Sequence, residues 1–181
     1  MTRIGLISDT HSYLDPKVAE HFADCDEIWH AVDIGDLEVI TQLEKLKPVK
    51  AVFGNIDDKS IQAKFPEDLW MEVEGFSIWI THIAGSPPNY NPRVRKILDK
   101  AAHPSPFGEG PGVRSPDILI CGHSHILKIM KDKDRNMLFI NPGAAGQQGF
   151  HHMKTLVRFE LHQKEIRKME VIELGKRGKI D

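Results

Sequence analysis

The chain has 181 residues, of which 40% are hydrophobic and 28% are charged, and its formal net charge is −2. This size and composition predict one globular domain, residues 1–181, with a sizeable apolar core. The small net charge and the lack of a long apolar segment argue against a nucleic-acid polymer or a membrane as partner. Two cysteines, Cys25 and Cys121, are too few for a disulfide framework, which favours the reducing cytoplasm.

Apolar segments of strand length alternate with amphipathic helical segments in the first third of the chain. Asp36 stands where the second predicted helix begins, and we expect it to be the N-cap of that helix. Strands that alternate with helices at this spacing favour an α/β fold. The predicted order is strand, helix, strand, helix and strand, over residues 3–8, 15–25, 27–32, 36–47 and 49–54.

Strands dominate the predictions for the rest of the chain. Two of them form an antiparallel pair that turns at Gly75, and the tail forms a hairpin around residues 162–165. One more amphipathic helix is predicted over residues 91–102. The predicted strands cover residues 69–75, 76–82, 117–125, 126–132, 136–143 and the two arms of 153–174.

Two stretches rich in proline and glycine flank the helix predicted over residues 91–102. They cover residues 85–92 and 103–116, and this composition predicts surface loops without regular structure. Two interpretations stay open for these loops. They are either tolerated insertions or a lid or rim over a functional site.

Seven polar side chains follow five separate strand-like segments. The loops after parallel strands gather along one edge of an α/β sheet, so these side chains are expected to converge. Carboxylate, amide and imidazole groups without thiolate suit manganese, iron, zinc or magnesium. Seven donors exceed what one catalytic ion needs, whereas two ions that share a bridging carboxylate use them all. The seven residues are Asp9, His11, Asp33, Asn55, His82, His123 and His125.

The order and spacing of these motifs resemble those of the calcineurin-like metallophosphoesterases, in particular the small bacterial and archaeal phosphodiesterase branch. The motifs read "DTH", "HAVD", "GNID", "TH", "GHSH" and "NPG", and they extend from Asp9 to Gly143. The resemblance implies a two-sheet β-sandwich flanked by helices, a four-layer αββα fold. It also implies two divalent metal ions per chain, with manganese as the expected ion and iron, zinc, nickel and magnesium as alternatives.

Carried over position by position, the resemblance gives the first metal three ligands: Asp9, His11 and His125. It gives the second metal three others: Asn55, His82 and His123. The resemblance also assigns Asn55 and His82 to catalysis. For Asn55, the amide nitrogen is free to point at a phosphate oxygen while the amide oxygen binds metal.

Asp33 is the expected bridging carboxylate, although Asp36 is a competing choice. Asp33 follows its strand directly and keeps the family's three-residue spacing from His30, whereas Asp36 has a sufficient role as a helix cap. With this choice Val32 stands where the family has glycine, which raises the question of whether a branched side chain distorts the bridge. His30 itself, like Cys121, is expected to be buried and not to bind metal.

A second departure from the family pattern concerns the proton donor. Ile56 stands where many members carry a histidine that protonates the leaving group, and isoleucine cannot transfer a proton. We therefore expect activated aryl esters to be cleaved more readily than alkyl esters. His151 and His152 lie in an exposed-looking loop, and a contact with substrate is the lesser of two interpretations for them.

These residues lead to one hypothesis and three rival functions. The hypothesis is a cytoplasmic phosphodiesterase that cleaves a small phosphodiester by attack of a hydroxide bridging the two metal ions. The rivals are a phosphomonoesterase on the same centre, a non-catalytic scaffold of the retromer-subunit type, and a mononuclear metal-storage protein. A homodimer is compatible with each of them.

Overall fold

Two five-stranded sheets form the centre of the molecule. The computed structural model of the chain describes residues 1–102, 115–149 and 151–177. The first sheet contains, in spatial order, β12 (Glu165–Lys176), β11 (Met153–His162), β1 (Thr2–Ile7), β2 (Glu27–His30) and β3 (Val49–Ala51). The second contains β4 (Asp68–Val73), β5 (Phe76–Thr81), β8 (Ile118–Ile120), β10 (Met137–Pro142) and β9 (Leu127–Asp132).

Each sheet contains three adjacent parallel strands, which form one side of the first sheet and the centre of the second. In the first sheet β1, β2 and β3 run parallel, and in the second β5, β8 and β10 do. The remaining strands pair antiparallel: β11 and β12 on the other side of the first sheet, and β4 and β9 at the two edges of the second. α/β proteins commonly bind ligands at the carboxyl ends of parallel strands, which here are followed by the loops after β1, β2, β3, β5 and β8.

The sheets and helices pack as four layers. Apolar side chains from the inner faces of both sheets share one core, which includes Leu6 of β1 and Ile80 of β5. In the described part of the chain, three helices cover the outer face of the first sheet and one covers the outer face of the second. The helices are α1 (Lys17–His21), α2 (Leu37–Glu44), α3 (Lys59–Lys64) and α4 (Pro92–Ala102). The predicted αββα architecture is therefore confirmed.

Several local predictions are confirmed at residue level. Asp36 is the N-cap of α2, and its Oδ1 accepts a hydrogen bond of 2.8 Å from the Glu38 backbone N–H. Gly75, with φ of +83°, forms the turn between β4 and β5. The tail forms the predicted hairpin of β11 and β12. These features depend on residues that are close together in the sequence, so the sequence is sufficient to predict them.

The prediction that residues 85–92 lack regular structure is wrong. Gly85 pairs with Tyr90 and Ser86 pairs with Asn89, which makes a two-stranded ribbon of β6 (Gly85–Ser86) and β7 (Asn89–Tyr90). The prolines 87 and 88 occupy the turn, where no N–H donor is needed, so the flanking residues remain free to pair. Residues 103–114 of the second predicted loop lie outside the described residues.

Other elements differ in length from the predictions. Helix α1 and strand β8 are shorter than the predicted segments 15–25 and 117–125. Helix α3 was not predicted, although Asp58 is its N-cap and accepts hydrogen bonds from two backbone N–H groups. Among the described residues there is no helix with both the length and the apolar character needed to cross a bilayer.

Candidate metal centre

Polar side chains that follow parallel strands of both sheets meet at one place. They come from the loops after β1 and β2 of the first sheet and after β5 and β8 of the second. Their ligand atoms form two clusters, and within each cluster all of these atoms lie within 4.8 Å of one another. The first cluster consists of Asp9, His11, Asp33 and His125, and the second of Asp33, His82 and His123.

Asp33 belongs to both clusters, and within the described part of the chain no other residue does. Its side chain is buried, and its Oδ2 lies 3.4 Å from His82 Nε2 and 3.5 Å from His123 Nδ1. Asp36, the competing bridging residue, is exposed and caps α2. The geometry thus favours Asp33 as the shared carboxylate.

The separations between donor atoms match those of ligands around a single cation. In the first cluster His125 Nε2 lies 3.1 Å from His11 Nε2 and 3.3 Å from Asp9 Oδ1. In the second, His82 Nε2 lies 3.1 Å from His123 Nδ1. Neighbouring ligands bound at about 2.0–2.2 Å are about 3.0–3.6 Å apart in octahedral or tetrahedral geometry. Each cluster therefore has the dimensions of a metal site.

The shared carboxylate also has an unsatisfied oxygen. Asp33 Oδ1 is buried and has no hydrogen-bond partner among the described residues. Leaving a buried carboxylate oxygen unpaired is unfavourable unless a cation compensates for it. A Cβ at Gly54 would lie 2.0 Å from this atom, so glycine is what allows the loop after β3 to approach it. The orphaned oxygen is direct support for a cation at this position.

The protonation states of the clusters suit metal binding. Burial raises the pKa of the Asp33 carboxyl, but the hydrogen bond and charge of His82, with the charges of His11 and His123, hold this pKa below its ordinary value. Burial, together with the charge of His125, lowers the pKa of His11. Asp33 is therefore ionised and His11 is neutral near pH 7, which are the forms that bind a cation.

Backbone strain is concentrated in these loops. Five of the six clustered residues have φ in the left-handed region, between +47° and +65°, and none of the five is glycine. This conformation costs an L-residue about 1–2 kcal/mol, and such strain is typical of functional sites. The five residues are Asp9, His11, Asp33, His123 and His125.

Contacts between loops hold the "GHSH" turn against the first sheet. The His123 backbone N–H donates a hydrogen bond of 2.9 Å to Asp9 Oδ1. A Cβ at Gly122 would lie 2.6 Å from Asp9 Oδ2, so only glycine permits this approach. The Asn141 amide donates to the Gly122 carbonyl at 3.0 Å and to Ser124 Oγ at 3.1 Å. Asn141 therefore positions the turn that carries two cluster histidines.

Asp57 has a matching role in the first sheet that the sequence did not reveal. Its side chain is buried and accepts hydrogen bonds of 2.7 Å from the backbone N–H groups of Gly35 and Gly54. These glycines lie in the loops that carry Asp33 and Asn55. The available signal was the "GNID" motif, in which Asp57 comes two residues after the predicted ligand.

Two positions left open by the sequence differ in outcome. Asn55 is exposed, and its side chain makes no hydrogen bond with another described residue. In the sequence it follows Gly54, whose backbone packs against the Asp33 side chain. Its part in the second metal site stays a prediction. Val32 is fully buried in the core between the sheets, and its Cγ2 lies 2.5 Å from the position of a Cβ at Gly122. Val32 is accommodated because the residue opposite has no side chain.

The other histidines of the described residues, and Cys121, lie outside the two clusters. His151 and His152 are exposed, and the prediction of a substrate contact for them is untested. Cys121 is buried, as expected. His30 is fully buried, and its Nε2 lies 2.9 Å from Thr10 Oγ1, whose hydroxyl donates to the Ile34 carbonyl. The Thr10 oxygen therefore accepts a hydrogen bond from the Nε2–H of a neutral His30. This bond positions Thr10, which lies between Asp9 and His11 in the sequence.

His30 makes the stability of the fold depend on pH. Burial lowers the pKa of His30 to about 3. Between pH 6.5 and 3 the unfolded chain binds one more proton at this residue than the folded chain does, so stability falls as the pH falls. We expect the free energy of unfolding to drop by about 2 kcal/mol more in the wild type than in His30→Gln between pH 7 and pH 5.

Urea denaturation in EDTA measures this difference without contributions from metal. His151→Gln is the control, since an exposed histidine should leave the wild-type pH dependence intact. Equal losses of stability in the wild type and His30→Gln would contradict the assignment of a neutral, buried imidazole.

Fold and site together define a metallophosphoesterase class of protein. The family model of the calcineurin-like phosphoesterase superfamily domain matches residues 2–164 of the chain. The chain therefore belongs to this superfamily, and the resemblance in its motifs is confirmed.

Individual relatives agree with this membership. A protein of Methanothermobacter thermautotrophicus named probable metallophosphoesterase is 31% identical over 147 residues, which are 78% of this chain and 76% of the relative. A solved archaeal phosphodiesterase has a TM-score of 0.69 at 22% identity and covers 94% of this chain and 99% of its own. Vps29 of Entamoeba histolytica, solved with zinc, has a TM-score of 0.69 at 18% identity, covering 96% and 99%. At these identities the two structures show the fold.

Proposed function

We propose that the protein is a metal-dependent phosphodiesterase that binds two divalent cations, with manganese as the expected ion. Membership of the superfamily supports hydrolysis of phosphoesters. The observation that carries the proposal is Asp33, a buried carboxylate shared by two clusters, with an oxygen that has no partner among the described residues. A single ion does not require a carboxylate between two sets of imidazoles, whereas two neighbouring ions require a carboxylate that both can share.

Each clustered residue has a role in this proposal. Asp9, His11 and His125 hold the first ion, and His82 and His123 hold the second together with Asn55. Asp33 is shared by both ions. Bound divalent cations neutralise phosphate charge and lower the pKa of coordinated water, which supplies the hydroxide nucleophile. The exposed Asn55 amide is free to donate a hydrogen bond to a phosphate oxygen while its carbonyl binds metal.

The leaving group receives little help from the chain. Ile56, which follows Asn55 directly, is 41% exposed and stands where a proton donor would be needed. Without a general acid at this position the rate depends on the basicity of the leaving group. This favours phosphodiesters with good leaving groups over phosphomonoesters, which are the alternative substrates on the same centre.

The proposal is tested by metal content and by a chromogenic assay. We expect the purified chain, given manganese, to bind close to two ions and to hydrolyse bis(p-nitrophenyl) phosphate faster than p-nitrophenyl phosphate. His123→Ala should remove turnover while the chain stays folded, and His151→Ala, a matched change outside the clusters, should not. A faster monoesterase reaction would favour a phosphomonoesterase.

A scaffold or a storage protein would give a different result in the same assay. A non-catalytic scaffold would bind ions without hydrolysing either ester, and a mononuclear storage protein would bind only one ion. The small phosphodiester as partner, a homodimer and a cytoplasmic location also belong to the proposal. Both cysteines of the chain are free and buried, which fits a reducing compartment.

A further inference from the structure

A cavity of about 340 Å³ opens beside the second cluster. Its lining includes His123 and Ser124, residues of the β6–β7 ribbon, Lys128 of β9 and Phe139 of β10. Its size is at the lower end of pockets that bind small organic ligands. Since a cluster histidine forms part of its wall, a phosphodiester held at the metal centre would have one ester substituent at the mouth of this cavity.

Two exposed isoleucine side chains make part of the cavity wall apolar. Ile83 is 40% exposed and Ile126 is 48% exposed, and both line the cavity. Each follows a clustered histidine directly, His82 in one case and His125 in the other. Because both side chains line one cavity, they give it the apolar wall that is typical of sites for small organic ligands. They suit the carbon skeleton of an ester substituent.

Lys128 provides a positive charge in the wall of the same cavity. Its Nζ donates a hydrogen bond of 2.9 Å to Ser86 Oγ of the ribbon. Within residues 1–102, 115–149 and 151–177, Lys128 is not among the lysines that pair with a carboxylate, which are Lys50, Lys64, Lys154, Lys164 and Lys168. An ammonium group has three N–H donors, so two of them remain for an anion. The charge is partly buried and therefore less screened than that of a surface lysine.

From these contacts we infer that the cavity selects phosphodiesters that carry a second anionic group, a phosphate or a carboxylate, on one ester substituent. Ile83 and Ile126 contact the carbon skeleton, and Lys128 binds the second anion. The inference rests on the proposed function, since the metal centre must hold the first phosphate. In this inference the β6–β7 ribbon forms a specificity-determining rim, which is the second of the two interpretations given for the segment 85–92.

The test compares two ligands that differ by one phosphate. Calorimetry with the manganese-loaded chain measures the binding of thymidine 3′,5′-bisphosphate and of thymidine 5′-phosphate. We expect the wild type to bind the bisphosphate about tenfold more tightly, and Lys128→Met to reduce this ratio to about two or less. Lys128→Arg should restore the preference, because it restores the charge.

Lys131→Met is the matched control, since Lys131 is an exposed lysine of the same strand outside the cavity. It should keep the wild-type ratio. An equal ratio in the wild type and Lys128→Met, or no preference in the wild type, would overturn the inference. Absence of esterase activity with an intact calorimetric ratio would instead refute the proposed function and leave the anion site standing.

Discussion

Asp33→Asn is expected to lower kcat/KM for an aryl phosphodiester by about 10³-fold or more. Metal ions contribute several kcal/mol to such reactions, and each 1.36 kcal/mol is a factor of ten in rate. The amide keeps the shape of the side chain but removes the charge that both clusters share. The variant should also lose most of the thermal stabilisation that manganese gives the wild type, because that shift follows from affinity for the ion.

Asp36→Asn is the matched control for this experiment. The same chemical change then falls three residues away, on an exposed N-cap. Asparagine is as good an N-cap as aspartate, so both activity and stability should remain close to those of the wild type. If Asp36→Asn lost activity and Asp33→Asn retained it, the bridging assignment would have to move to Asp36.

Asp15→Asn is expected to lower the free energy of unfolding by about 3–5 kcal/mol. Asp15 Oδ2 lies 2.5 Å from Lys154 Nζ, and these side chains are only 6% and 9% exposed. Removing one partner leaves the other charge buried and uncompensated. The pair joins the loop that follows His11 to strand β11, so the loss should also loosen the first cluster.

Urea denaturation at pH 7 measures this loss, and two further variants interpret it. Asp15→Asn combined with Lys154→Met removes the unpaired charge and should recover most of the stability. Glu44→Gln breaks an exposed pair with Lys64 and should cost less than about 1 kcal/mol. A loss below 1 kcal/mol in Asp15→Asn itself would show that the buried pair contributes little.

The same pair has a defined dependence on pH. Burial alone would raise the pKa of Asp15, but the hydrogen bonds from Lys154 and from the Lys17 backbone N–H, with the charge of Lys154, hold it below its ordinary value. A carboxyl whose pKa is lowered by folding stabilises the protein above its unfolded pKa, and this stabilisation is lost as the pH falls through the folded value. The contribution should therefore be complete at pH 7 and disappear in strong acid.

The sequence predicted which residues come together better than it predicted the contacts that hold their loops in place. Six of the seven residues singled out at strand ends lie in the two clusters, because parallel strands bring their carboxyl ends to one edge. The roles of Asp57 and Asn141 were not predicted. Both act between loops that are distant in sequence, and hydrophobic periodicity carries no information about such contacts.

The fold shows the same division between local and non-local information. The cap at Asp36 and the turn at Gly75 depend on neighbouring residues and were predicted. The ribbon over residues 85–90 was not predicted. A composition rich in proline and glycine does not show that the residues on either side of a proline pair can form hydrogen bonds with each other. The pairing of two sheets into a sandwich came only from the family resemblance.

The left-handed backbone at five clustered residues has a consequence for how the chain would select a cation. Because folding itself shapes these loops, little conformational entropy remains to be lost when an ion arrives. A rigid set of donors discriminates by ionic radius, since it neither contracts around a small ion nor widens for a large one. Calcium, which needs longer bonds and more oxygen donors, would therefore be a poor competitor for these nitrogen-rich positions.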